Sequence, residues 1–199
     1  MLERWAQWLT TRFVQFGIVK KNEVEIYNYC FEVLLGNLAY YGTITLITIL
    51  TQKVAFAICY TMGFILIRHT SGGYHAQSHL RCYVLSLTVY LMALAIWCLF
   101  SWDAGVVVLS SWIVMVVLWC IGPVEHENKP LSAKEVVTYR KKSRKVSLLL
   151  ALGITILCGA QQVEVAAIFM LGFLSAVLSG AAGQIVNKER ERANEEIIL

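Results

Sequence analysis

The sequence predicts an all-α integral membrane protein with about six transmembrane helices and an amphipathic interfacial helix at its N-terminus. Of the 199 residues, 58% are hydrophobic and only two are proline, and the mean hydropathy is +0.62. Six apolar segments alternate with short polar connections. Soluble domains average a smaller apolar fraction, so we expect one membrane domain covering residues 1–199.

The first segment, residues 1–21, is predicted to be the interfacial helix. Apolar residues recur there at three- and four-residue intervals, with polar residues between them, at Leu2, Trp5, Leu9, Phe13 and Phe16. This aromatic-rich periodicity is typical of a helix lying in the membrane interface. No small-residue cleavage site precedes the first long apolar run, so a signal peptide is not expected. Asn22 and Glu25 resemble a capping pair that opens the next helix.

The six apolar segments are predicted to be the transmembrane helices. They cover 31–50, 54–67, 82–100, 105–122, 146–160 and 163–186, which pair as 31–67, 82–122 and 146–186. A bilayer core of about 30 Å requires about 20 helical residues. The second and fifth segments must therefore recruit flanking residues or cross a thinner bilayer. A polar connection lies at 68–81, a basic loop at 123–145 and a polar tail at 187–199.

The positive charges predict the orientation in the membrane. With the N-terminus inside, all but one of the 17 Lys and Arg side chains fall on the cytoplasmic side, and only Lys53 falls outside. This asymmetry follows the positive-inside rule. We therefore expect a multi-pass protein of the cell membrane whose termini and 68–81 connection are cytoplasmic. The basic 123–145 loop is predicted to rest on anionic headgroups or to dock an acidic peptide.

The connection after the second span holds the reactive side chains. From Arg68 to Cys82 lie three of the four histidines, two arginines, a glycine pair and a cysteine. A neutral imidazole can take the proton of a thiol, and the thiolate attacks carbonyl carbons. His75 and Cys82 are separated by about 10 Å of rise on a straight helix. As a catalytic pair they require a bend, and Gly72-Gly73 supplies backbone freedom before it.

Other residues of this connection have several candidate roles. Arg68 and Arg81 are suited to favouring the thiolate, to binding a substrate carboxylate, or to extending toward headgroups. Backbone N–H groups near the glycine pair are candidates for an oxyanion hole.

Two alternatives to a cysteine enzyme use the same residues. His75, His79 and Cys82 at i, i+4 and i+7 are suitable zinc ligands for a metal-dependent hydrolase, although the glutamate of the His-Glu-x-x-His pattern is missing. A six-span transporter or exporter would use the histidines as a proton relay. Against the transporter, and leaving Glu32 aside, no predicted span carries an ionisable residue near its middle.

The same stretch resembles the signature of the accessory gene regulator B (AgrB) family. The matching pattern is Arg68-His69-x-Ser71-Gly72-Gly73-x-His75-Ala76, followed by Cys82. Two further segments extend the resemblance over most of the chain, namely Glu32-Val33-Leu34-Leu35 and Gly122-Pro123-Val124-Glu125-His126-x-Asn128-Lys129-Pro130-Leu131. Proteins of this family are membrane cysteine endopeptidases of Gram-positive bacteria that process quorum-sensing propeptides.

The resemblance implies a role for individual residues. It makes His75 and Cys82 the catalytic pair, and it places Arg68 and Gly73 on further family positions that are expected to shape the site. Glu32 occupies a position that holds glutamate or glutamine in the family. A carboxylate in an apolar span is a functional candidate by default. We expect Glu32 to orient His75, to hold substrate, or to lie just outside the hydrocarbon.

The resemblance also implies a reaction. Cys82, activated by His75, attacks a backbone carbonyl of an AgrD-like propeptide where the signalling segment meets an acidic C-terminal tail. The tail leaves, and a cysteine or serine within the propeptide attacks the resulting thioester to close a thiolactone or lactone ring. The N-terminal helix and residues 129–145 are expected to dock the leader and the tail of the propeptide. No cofactor and no nucleic acid is expected, and the working assembly is a homodimer in the lipid bilayer.

Overall fold

The computed structural model describes residues 2–73, 79–124 and 132–198, and within these ranges the regular elements are all helices. The predicted all-α membrane class is confirmed. In chain order the helices are α1 (Leu2–Gln15), a single 3-10 turn (Lys21–Glu23), α2 (Val24–Thr51), α3 (Val54–Ser71), α4 (His79–Leu99), α5 (Ala104–Ile121), α6 (Ala133–Gly159) and α7 (Val163–Ile198).

Within the described ranges, five helices are long and apolar enough to cross a membrane. They run over Lys21–Thr51, Val54–Ser71, Leu80–Leu99, Ala104–Ile121 and Val163–Glu189. The predicted 146–160 segment forms the second half of α6, and the first half of that helix is polar and basic. The apolar length of α6 is therefore short, and its role as a sixth span stays a prediction.

Helix α6 begins earlier than the sequence predicted. Residues 133–145, predicted as loop, are helical, because Ser132 and Glu135 form a capping box at the N-terminus of α6. The Glu135 carboxylate accepts a hydrogen bond from the Ser132 N–H (2.9 Å), and the Ser132 hydroxyl accepts one from the Glu135 N–H (3.4 Å). Two N-terminal donors are thereby satisfied. The basic side chains from Lys134 to Lys145 thus lie on a helix.

The predicted cap of α2 does not form. Asn22 lies inside the 3-10 turn, and the N-cap position falls on Glu23, whose side chain makes no capping hydrogen bond. The capping pattern failed here because the extra turn shifts the start of α2 past Asn22.

The helices group into two compact units, Met1–Gln52 with Ala76–Thr88 and Lys53–His75 with Val89–Leu199. In the first unit α1 packs on α2, and the rings of Phe13 and Phe31 meet with centroids 5.2 Å apart. Ala6 and Thr10 are buried, whereas Trp5 and Trp8 are exposed. Helix α1 thus has a packed face and an exposed aromatic face, as an interfacial helix requires.

The second unit is centred on the close approach of α3 and α7. A Cβ atom added to Gly63 would lie 2.8 Å from the Phe169 carbonyl oxygen, and one added to Gly172 would overlap the Tyr60 carbonyl oxygen. Small residues of this kind let membrane helices approach until their backbones touch. Helices α5 and α6 pack around this pair. The contact continues to the C-terminal end of α3, where Arg68 reaches Ser179 of α7.

The close approach predicts opposite effects for two glycine substitutions. Gly172→Ala should destabilise the protein by about 1–3 kcal/mol, because the added methyl group overlaps backbone. Gly153→Ala on α6 is the matched control: among the described residues no atom lies within 4 Å of its added Cβ. There alanine should stabilise by up to about 1 kcal/mol through helix propensity. Thermal unfolding in detergent measures both, and equal shifts for the two variants would contradict the close contact.

Candidate functional site

The two predicted catalytic residues are described to different extents. His75 lies outside the described residues, so its approach to Cys82 stays a prediction. Cys82 is the fourth residue of α4 and is partly exposed. All six cysteines of the described chain are free thiols. Arg81 is exposed beside it in sequence, and the side chain of His79, the third proposed zinc ligand, also lies outside the described part.

Arg68 turns back onto the end of its own helix. Its Nη1 donates to the Ser179 hydroxyl on α7 (2.7 Å) and makes a longer contact with the Gly72 carbonyl (3.5 Å). The side chain is half-buried. The described hydrogen bonds of Arg68 therefore join the C-terminus of α3 to α7, a role that the sequence did not predict.

The two glycines after α3 occupy positions that no other residue fits. Gly72 has φ +68° and caps α3 with its N–H on the Arg68 carbonyl (3.1 Å). A Cβ atom there would overlap the Val124 carbonyl oxygen. Gly73 has φ +156°, and a Cβ atom there would overlap the Arg68 guanidinium. Positive φ favours glycine at both positions, and at Gly72 the Val124 backbone also leaves no room for a side chain.

The second motif, after α5, meets the first. The Val124 N–H donates to the Ser71 carbonyl (2.8 Å). Gly122, with φ +74°, caps α5 with its N–H on the Leu118 carbonyl (2.9 Å). We call this meeting point the glycine junction, and it consists of Arg68, Ser71, Gly72, Gly73, Gly122 and Val124.

Side chains from α6 and α7 complete the glycine junction. The Arg140 guanidinium of α6 lies against Gly122, 3.4 Å from where a Cβ atom would be. The Gln184 amide of α7 donates to the Ile121 carbonyl. Ser179, Gln184 and Arg140 were missed by the sequence reasoning. The available signal was the polarity of Ser179 and Gln184 within an otherwise apolar helix, because such residues tend to hydrogen-bond across helix contacts.

The first unit holds Glu32 and Cys82. Glu32 is partly buried on α2. Tyr83, which follows Cys82, hydrogen-bonds to α2. Its hydroxyl lies 2.8 Å from the Thr43 hydroxyl. Glu32 precedes Thr43 by eleven residues, a rise of about 16 Å along a helix. The hydrogen bond fixes the first turn of α4 against α2, and the predicted roles of Glu32 stay predictions.

These features define a multi-pass α-helical membrane protein. A glycine pair follows α3, and a cysteine lies in the first turn of α4, the next helix. The family model "Accessory gene regulator B" matches residues 2–180. The chain therefore belongs to the accessory gene regulator B family, which is involved in processing quorum-sensing peptides. The resemblance predicted from the motifs is confirmed.

One curated relative shares this assignment. It is a protein of Listeria innocua serovar 6a named as AgrB-like, which is 23% identical over 151 residues. The match covers 76% of this chain and 73% of the relative. No solved structure matches the chain.

The contact between Arg68 and Gly73 predicts a non-additive pair of substitutions. Gly73→Ala should lower the free energy of unfolding by about 1–3 kcal/mol, because the methyl group displaces the guanidinium. In an Arg68→Ala background the same change should cost less, with a coupling of at least about 0.5 kcal/mol. Chemical or thermal unfolding in detergent measures the cycle. An Arg140→Ala background is the control and should give additive effects, since the described contact of Arg140 is with Gly122.

Proposed function

We propose that this protein is a membrane cysteine endopeptidase that removes the C-terminal tail of an AgrD-like propeptide and leaves an acyl-enzyme thioester. Cys82 is the nucleophile and His75 is the general base. The observation that carries the proposal is the family match over residues 2–180, together with the position of Cys82 as a free, partly exposed thiol in the first turn of α4.

The first turn of a helix suits the proposed chemistry. Its backbone N–H groups have no acceptor within the helix. Such groups stabilise the negative oxygen of a tetrahedral intermediate when the attacked carbonyl lies next to them. Cys82 is the cysteine placed at the N-terminal end of a described helix, whereas Cys98, Cys120 and Cys158 lie near C-terminal ends and Cys30 and Cys59 lie inside helices.

The proposed reaction has two steps. His75 takes the thiol proton of Cys82, the sulfur attacks the scissile carbonyl, and the proton passes to the amine of the departing tail. A thiol or hydroxyl inside the bound propeptide then attacks the thioester, its proton returns through His75 to the Cys82 sulfur, and a thiolactone or lactone ring is released. The thioester survives until the internal attack because a membrane site excludes most water.

The remaining assignments belong to the same proposal. Arg81 and Glu32 are supporting residues of the site. The distribution of Lys and Arg supports a cytoplasmic site and cytoplasmic termini. The first half of α6 is basic, and most of its residues from Lys134 to Lys145 are exposed, although Ser143 is buried. This basic surface supports docking of the acidic tail. The exposed aromatic face of α1 supports docking of an amphipathic leader at the interface. We further propose one functional membrane domain, a homodimeric assembly and a Gram-positive host.

Tail release in liposomes tests the proposal. Purified protein is reconstituted with an AgrD-like propeptide, with and without chelator. Wild type should release the tail in both conditions, whereas Cys82→Ala and His75→Ala should lose about 10³-fold or more of the rate. Cys98→Ala, on the exposed far end of the same helix, is the matched control and should retain activity. Release by Cys82→Ala would rule out the cysteine mechanism, and loss of wild-type activity in chelator would favour the metal alternative.

The acyl-enzyme is directly observable. A propeptide whose internal cysteine or serine is replaced by alanine can still acylate Cys82 but cannot close the ring. Intact-mass spectrometry should then show the wild-type protein carrying the peptide without its tail. Hydroxylamine should remove the adduct, because it cleaves thioesters. Cys82→Ala has no nucleophile at this position and should show no adduct, and an adduct on that variant would place the acyl group elsewhere.

A further inference from the structure

Three residues in the C-terminal part of α7 lie against the glycine junction or the helix end beside it. The Ser179 hydroxyl accepts from Arg68 Nη1 at 2.7 Å, the Gln184 amide donates to the Ile121 carbonyl, and Gly180 lies close to the Val124 methyl groups. Ser179 and Gln184 thus bind the ends of two different helices, α3 and α5. This stretch of α7 is far from Cys82 in sequence and carries none of the residues assigned to the reaction.

The Ser179 hydroxyl holds one nitrogen of the Arg68 guanidinium. A long arginine side chain at a helix end near the membrane surface extends toward water and headgroups unless it is held, and fixing it costs about 2 kcal/mol of rotamer entropy. The short hydrogen bond to Ser179 directs the guanidinium back over Gly73, where a Cβ atom would overlap it. The same nitrogen lies 3.5 Å from the Gly72 carbonyl.

The position of the guanidinium matters because Gly72 and Gly73 have no side chains of their own to anchor them. Two glycines in positive-φ conformations are the most easily rearranged part of a chain. Gly73 is buried under the Arg68 guanidinium, and His75 follows it by two residues. Whatever holds Gly72-Gly73 therefore restricts the stretch of backbone that leads to the proposed general base.

We propose that Ser179 is a positioning residue for the reaction and acts through Arg68. Its hydroxyl holds the guanidinium against Gly72-Gly73, and this arrangement sets the backbone that enters the His75 segment. The inference rests on the proposed function, since the reaction that it tunes is tail release. Ser179 does not touch the substrate and takes no part in proton transfer.

The expected kinetic effect is confined to the chemical step. A misplacement of a catalytic group by about 1 Å lowers a rate by up to about 100-fold, because the reacting atoms leave the near-attack geometry. Ser179→Ala should therefore lower kcat for tail release by about 10-fold to 100-fold, with KM changed less than about twofold, since the change leaves the substrate contacts in place. Ser179→Thr keeps a hydroxyl at the same position and should restore most of kcat.

Ser175→Ala is the matched control. Ser175 lies one turn earlier on α7, is buried, and donates to the Leu171 carbonyl of its own helix (2.8 Å). It also hydrogen-bonds with the Tyr60 side chain of α3, so its substitution perturbs the α3–α7 contact while Ser179 keeps its hydrogen bond to Arg68. Its substitution removes the same atom from the same helix. Any one of three results overturns the positioning role. Ser175→Ala lowers kcat as much as Ser179→Ala does, or Ser179→Thr fails to restore kcat. The third is a Ser179→Ala variant in which KM rises and kcat does not fall.

Hydrogen–deuterium exchange gives a readout that does not need activity. With the full-length protein in liposomes, amide exchange in the peptide containing Gly72 and Gly73 should speed up by about 10-fold or more in Ser179→Ala and stay at the wild-type rate in Ser175→Ala. In an Arg68→Ala background, Ser179→Ala should add no further change to exchange, because the two residues act as one unit.

The two readouts separate failure of the inference from failure of the proposed function. If wild type releases no tail, the proposed function is overturned. Amide exchange then tests only whether Ser179 anchors Gly72-Gly73 through Arg68. Faster exchange in Ser179→Ala supports this anchoring, and unchanged exchange overturns it. If wild type is active while Ser179→Ala alters neither kcat nor exchange, the inference is overturned and the proposed function stands.

Discussion

The structure depends on satisfying backbone polar groups where helices end close to a bilayer. Each end of an α-helix leaves four carbonyl or N–H groups without an intrahelical partner, and lipid offers them none. At the ends of α3 and α5 the chain solves this with partners from elsewhere in the fold. The Ser71 carbonyl binds the Val124 N–H, the Ile121 carbonyl binds the Gln184 amide, and the Gly72 carbonyl is close to Arg68. These bonds bring the two sequence motifs together.

The glycines make these bonds geometrically possible. The Val124 carbonyl lies where a side chain at Gly72 would be, and the Arg68 guanidinium lies where one at Gly73 would be. A Cβ at Gly72 would push the Val124 backbone away from Ser71, to whose carbonyl the Val124 N–H donates, and a Cβ at Gly73 would displace the guanidinium. The same principle operates within the helices, where Gly63 and Gly172 let α3 and α7 touch. The backbone approach along α3 and α7 in turn fixes the distance across which Arg68 reaches Ser179.

Much of the fold was predictable from local patterns. Apolar run lengths located the five described spans, and the 3.6-residue periodicity located α1, because burial in lipid or at its surface depends on composition over one or two turns.

The helix ends were less predictable. Helix α3 continues through Arg68-His69-Thr70-Ser71 even though the sequence turns polar, because the Thr70 and Ser71 hydroxyls donate to the Ile67 carbonyl and the helical backbone bonds persist. Likewise, the polar 133–145 segment is helical because a capping box starts it. Contacts such as Ser179 with Arg68 join residues more than a hundred positions apart, and no local pattern encodes them.

Arg68, Gly72 and Gly73 of the 68–76 motif have a structural role that is separate from catalysis. The Arg68 guanidinium lies over Gly73, and its Nη1 contacts both the Ser179 hydroxyl of α7 and the Gly72 carbonyl after α3. Arg68, Gly72 and Gly73 thus behave as one packing unit, and their presence in a motif follows from the fold. Cys82 lies on α4 and is not part of the glycine junction. In the proposed reaction the chemistry belongs to His75 and Cys82, and the task of the junction is to hold Gly72-Gly73, which precedes His75 in the sequence.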